Sequence, residues 1–108
     1  MADILHAKRT LIARLLDGDA RASKDQRRAA FENAGLDGPT ASLVAKVARD
    51  AQQICDEDFA AAREMLSEDE LFELVVCAAV GQASRQHDVA VAALAEATKE
   101  AADAPRHS

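Results

Sequence analysis

The 108-residue chain has no tryptophan, no tyrosine and only three phenylalanines. Its apolar residues, 49% of the chain, are mainly Ala and Leu. Small side chains let helix backbones approach closely, whereas sheets favour β-branched and aromatic residues. An all-α fold is expected, with a core thin in bulky groups, so that burial against further copies of the chain is expected as well. No run approaches the ~20 apolar residues of a membrane span. Lys8, Arg9 and Arg14 also interrupt any apolar segment of the kind that opens a secretory leader. The two cysteines, Cys55 and Cys77, lie far apart, and no such leader is expected before them. A reduced, cytoplasmic protein is the expectation, without membrane association.

Positive charge is scarce too, and unevenly placed. The formal charge is −6. Up to Leu36 seven basic residues stand against five acidic ones, and from Asp37 onward six stand against fourteen. This disfavours a phosphate-backbone partner, which needs a basic surface. Lys24, Arg27 and Arg28 read as a solvated helix face rather than a nucleic-acid patch. His6, His87 and His107 are scattered, with no pair at metal-ligand spacing, so no metal site is expected. There is no Gly-rich phosphate loop and no nucleophile elbow, and no cofactor is expected.

The strongest positive signal runs from Ser67 to Leu94. Ser67 and Glu70 form a capping box, with Glu68 and Asp69 adding negative charge at the positive end of the helix dipole. From Leu71 to Val80 the only charged side chain is Glu73. A helix apolar almost all round is a buried one, and this segment is read as a central helix reaching Ala97 or beyond. Gly81, Ala83, Ser84 and Ala90 leave room for another helix to cross closely. About five helices are expected in one domain. Residues 1–36 form an N-terminal helical extension and residues 39–97 the core.

Earlier segments follow the same grammar. Ile4, Ala7, Leu11, Ile12, Leu15 and Leu16 recur at helical spacing from about Asp3 to Asp17, and Gly18 stops that helix. Ser23 with Gln26 opens a second helix through Ala29, Ala30, Phe31 and roughly Asn33, with Gly35 to end it. Pro39 starts a third, which is expected to run through Ile54. A break near Cys55 is followed by a short helix whose first turn is Asp56-Glu57-Asp58. The tail after Ala101 reads as frayed.

The stretch Phe59 to Leu74, with its Leu66-Ser67-Glu68-Asp69-Glu70 junction and the small-residue-rich run Val75 to Gly81 after it, resembles the core of the AhpD-like, or carboxymuconolactone decarboxylase-like, family. The resemblance covers roughly Ala41 to Leu94. It implies an AhpD-like helical bundle, usually assembled as trimers or hexamers. Redox members carry two cysteines separated by two residues and a histidine four positions after the second. Anchored on the Leu66-Ser67-Glu68 junction, those positions hold Asp50, Gln53 and Glu57. Met65 replaces the glycine usual before the junction, and the acidic relay position falls near Gly38. A thiol peroxidase of this kind needs a low-pKa thiol and a resolving partner, and the aligned positions offer neither.

Three functional readings follow. The first is a degenerate AhpD-like protein acting as a non-redox oligomeric binding or scaffold module, with a small-molecule ligand possible. The second is a decarboxylase-like enzyme working by acid–base chemistry on a small carboxylated substrate. Glu57 or His87 would move the proton, while Arg49, Asp50, Gln53 and Arg85 would bind, the arginines holding a carboxylate. That reading needs an enclosed pocket near Asp50, Gln53 and Glu57 with a basic residue in its wall. The third is a small helical adaptor unrelated to the family, separated by topology and oligomer state and favoured by a monomer with Leu71 to Val80 exposed. Beside these stands redox chemistry at Cys55, paired with Cys77 or alone, against which structural cysteines are the blander assignment, Cys77 as a small core residue.

Overall fold

The computed structural model describes the backbone of residues 2–103 and the side chains of residues 3–100. Among the described residues every regular element is helical. These elements are α1 (Ala2–Asp17), α2 (Lys24–Glu32), α3 (Gly38–Arg49), a 3-10 turn (Ala51–Gln53), α4 (Asp56–Arg63) and α5 (Glu68–Asp103).

The helix starts follow the capping chemistry. Ser23 accepts from the Gln26 amide at 3.0 Å while the Gln26 side chain accepts from the Ser23 amide at 3.1 Å. Ser67 and Glu70 repeat the exchange at 3.2 Å in each direction at the head of α5. Each box satisfies donors that a helix start would otherwise leave free. At the end of α2 the left-handed residue is Asn33, with φ 56°, whose amide reaches back to the Ala29 and Ala30 carbonyls. The helix thus reaches about Asn33 as expected, and Asn33 itself rather than Gly35 supplies the left-handed stop, because Asn tolerates this conformation and hydrogen-bonds locally. Helix α3 ends at Arg49, short of the expected Ile54. The Asp50 amide closes it on the Lys46 carbonyl at 2.8 Å, and the 3-10 turn follows.

The core forms as two clusters that share α5. Ala22, Ala30, Val44, Leu74, Cys77 and Ala78 make the first, which joins α2 and α3 to α5. Leu43, Ala62 and Leu71 make the second, which joins α3 and α4 to it, with Val47, Ile54, Phe59, Leu66 and Val75 around them. Segment 1–36 thus supplies part of the main core through Ala22 and Ala30. Where α2 ends, it crosses α5 at Gly81. A Cβ there would collide with the Phe31 carbonyl oxygen, so the absence of a side chain sets the approach.

The central helix is buried along one side only. Leu71, Leu74, Cys77 and Ala78 are enclosed, but Phe72 is 70% exposed and Ala79 and Ala83 face solvent. The near-continuous apolar run predicts burial all round, but the helices packed on α5 cover one side of it and leave the other to solvent. Beyond Asp88 nearly every described side chain of α5 is exposed, Val89 at 69% and Leu94 at 61%. The molecule measures 67 × 30 × 19 Å with a radius of gyration of 18.0 Å. A compact domain of about 100 residues has a radius near 13 Å, and the projecting end of α5 accounts for the excess. No described helix is long and apolar enough to cross a membrane. The expected frayed tail lies outside the described residues beyond Asp103.

Candidate functional site

The residues singled out in the sequence fall into separate neighbourhoods. Asp50, Gln53 and Cys55 lie on the connection between α3 and α4 and Glu57 in the first turn of α4, all exposed. Arg49 is exposed at the end of α3, where it borders a groove with Asn33, Gly35, Leu36 and Val44. Arg85 and His87 lie midway along α5, beside α1 and α2. The grooves described here are lined by other side chains than Asp50, Gln53 and Glu57. Short connecting chain between two helices that both pack inward leaves such residues facing water.

Arg85, His87 and Cys55 each already have a partner within the chain. Arg85 donates to the Phe31 carbonyl at 2.6 Å and to Gln82 Oε1 at 3.1 Å. It fastens the end of α2 to α5 instead of standing free for a substrate carboxylate. His87 Nδ1 lies 2.7 Å from Lys8 Nζ, and the same ammonium reaches Asp88 Oδ1 at 2.7 Å. An ammonium has only donors, so His87 Nδ1 accepts and the imidazole is held as a tether for α1. Lys8 also keeps the Asp88 carboxyl below its ordinary range.

Cys55 sits at the N-cap of α4. Its amide donates to Asp58 Oδ2 at 2.9 Å and its thiol to the same oxygen at 3.3 Å. Asp58 is in turn held by Lys46 at 2.9 Å. Hydrogen bonding with Glu57 pushes the Cys55 thiol above its ordinary value; the Asp58 amide opposes this, and the Asp58 carboxylate adds to the rise. The Cys55 amide and then Lys46 lower Asp58, and Asp58 raises Lys46. A redox nucleophile requires the opposite shift. Cys77 is wholly enclosed in the core, where burial raises its thiol. Both thiols are free.

The best-built polar constellation was not anticipated. Arg27, read as part of a solvated face, is only 4% exposed. Its Nη1 donates to the Leu15 carbonyl at 3.1 Å and the Gly18 carbonyl at 2.7 Å. A cation here satisfies the carbonyls left over at the end of α1 and opposes the negative end of that helix's dipole. Glu73 completes the arrangement from α5. Its two carboxylate oxygens accept from the Arg21 amide at 3.0 Å and the Ala22 amide at 2.7 Å. Burial pushes Glu73 up, but the Ala22 and Arg21 amides and the charge of Arg27 outweigh it, leaving the carboxyl below its ordinary range. The one signal in the sequence was Glu73 itself, a lone charge within an apolar run. Nothing in the sequence marked Arg27, since its acceptors are backbone carbonyls of another helix.

The exposed face of α5 forms the most open apolar region. Phe72 stands as a ridge between two grooves. One, of about 250 Å³, is bordered by Arg14, Leu15, Arg27, Val76 and Cys77. The other, of about 490 Å³, is bordered by Phe59, Arg63, Glu68, Leu71 and Val75. Among the described residues no cluster of three or more His, Cys, Asp or Glu side chains could hold a metal ion. No family model matches the chain, and neither a curated protein nor a solved structure matches it significantly.

Proposed function

We propose that this chain is a non-redox, AhpD-like helical module that works by binding and scaffolding, through association of its α5 face with other protein surface. The observation that carries the reading is a contrast within one chain. The groups that would do chemistry are exposed or engaged in structural hydrogen bonds, while a largely apolar helix face, interrupted at Gln86, is left without a partner in the single chain. The largest apolar patch on a protein surface is often an interaction site. The thiols support the non-redox part of the reading. The Cys55 thiol is pushed above its ordinary value, first by Glu57, and Cys77 is enclosed in the core.

The acid–base alternative has less support. Glu57 and His87 occupy different neighbourhoods, and Asp50, Gln53 and Glu57 are open to water. General acid–base catalysis needs both groups within hydrogen-bond reach of one substrate.

A hydroperoxide assay with a dithiol reductant tests the proposal, run beside the Cys55→Ser variant. Turnover is expected at the uncatalysed rate for both proteins. Turnover by the native chain that disappears in Cys55→Ser would overturn the reading.

A further inference from the structure

The free face of α5 has a spacing that its buried face does not explain. Phe72, Val76, Ala79, Ala83, Gln86, Ala90, Ala93 and Ala97 follow one another at alternating steps of four and three. That is the seam spacing of paired helices. All of them are exposed except Val76, which is half-buried. Val89 and Leu94 flank the distal part of this seam and are as exposed as Phe72.

We infer that a second copy of the chain covers this face, with the two α5 helices antiparallel in a two-fold pair. The inference rests on the scaffold reading above and specifies its partner. Side-chain size sets the direction and the register. The proximal half carries the bulk and the distal half is nearly all alanine. Antiparallel pairing sets Phe72 level with Ala97 of the other copy, Val76 with Ala93, Ala79 with Ala90, and Ala83 with Gln86. Each Phe72 ring then enters the space left beside Ala93 and Ala97, against Leu94. Parallel pairing would instead stack Phe72 on Phe72 and leave the alanine layers hollow.

Charge agrees with that direction. The first turn of α5 carries Glu68, Asp69 and Glu70. Parallel helices would place two such clusters side by side, a like-charge repulsion. In the antiparallel register they lie about 46 Å apart at ~1.5 Å per residue.

The area fits a second copy too. From Phe72 to Ala97 the seam spans about 38 Å, and a helix is about 10–12 Å across. In projection this gives roughly 400–450 Å² on each copy, before the interlocking of side chains is added. Standard interfaces cover about 800 Å² per partner, and weak ones less. The pair therefore belongs to the reversible class. Such pairing also gives the distal turns of α5 a partner; isolated helices of ~12–15 residues are marginal in water.

The test combines sedimentation with cross-linking of the full chain. Native protein is expected to pass from monomer to dimer between low micromolar and millimolar concentration. Phe72→Glu should weaken dimerisation at least tenfold with its circular-dichroism helicity unchanged, since that side chain is outside the monomer core. In a Cys55→Ser background, Ala79→Cys and Ala90→Cys proteins should form a disulfide dimer rapidly when mixed under mild oxidant. Neither should do so alone, because like positions lie about 16 Å apart along the axis at ~1.5 Å per residue. Rapid cross-linking of each variant alone, a trimer or hexamer by mass, or dimerisation indifferent to Phe72→Glu would overturn the antiparallel pair and leave the scaffold reading standing. A monomer at every concentration would overturn the pair and confine the module to other partners. Thiol-dependent hydroperoxide turnover would remove the scaffold reading without touching the pair.

Discussion

The two halves of α5 are built from similar residues yet live in different surroundings. From Leu71 to Arg85 the helix is held by α2, α3 and α4, with Leu74 and Cys77 fully enclosed and Gly81 pressed on the Phe31 carbonyl. From Val89 onward the same helix carries Val89, Leu94 and a row of alanines into solvent. Alanine is the best helix former, so the distal half keeps its shape by propensity and continuity, while the proximal half keeps it by packing. Within one chain the first half acts as core and the second as surface. An apolar sequence alone does not say which of these it will become.

Substitutions can break that comparison most sharply. Leu74→Ala removes a side chain with no room to collapse and should cost about 2–5 kcal/mol in denaturant unfolding. Gly81→Ala should fall in the 1–3 kcal/mol range typical of overpacking, because the obstacle is a backbone carbonyl. Leu94→Ala, the matching change in the distal half, should alter the stability of dilute protein by no more than about 0.5 kcal/mol. Equal losses at Leu74 and Leu94 would show that the halves are not different.

Electrostatics sharpens the proximal side. Glu73→Gln leaves a buried amide partner short of an acceptor and should cost about 1–3 kcal/mol at neutral pH. The Glu73 carboxyl is lowered in the folded chain. Its contribution is therefore complete above the ordinary glutamate range and is lost as pH falls through the folded value. Acid unfolding curves should show native protein converging on Glu73→Gln as pH drops below about 4. Parallel curves down to low pH would refute the role given to this carboxylate.

The smallest effect concerns Cys55. Relieving its hydrogen bond with Glu57 by Glu57→Gln should lower the thiol pKa and speed alkylation near neutral pH, by up to about tenfold for each pKa unit recovered. Cys77 should react only when the chain unfolds. Fast labelling of both thiols in native protein would contradict the burial of the proximal half.

Much of the fold was legible because local chemistry dictates it. The Ser23–Gln26 and Ser67–Glu70 boxes, the stop at Gly18 and the start at Pro39 are each settled within a few residues. The reading failed where distant partners decide. Arg27 is buried because α1 brings two carbonyls to it, and Phe72 is exposed because the helices packed on α5 leave that side open. Ending α3 at Arg49 depends on how Ile54 must reach the second core cluster. Candidate site residues fared worst for the same reason. Arg85 and His87 look available on their own helix, but the Phe31 carbonyl and Lys8, more than fifty residues away in the chain, engage them.

Hydrogen exchange along α5, followed from about 10 µM to 1 mM protein, tests the central claim most directly. Amides from Leu71 to Arg85 should already be well protected in dilute protein. Those from Val89 to Ala97 should exchange quickly when dilute and gain at least tenfold protection as the chains pair. Distal protection that stays the same across the series would contradict the account.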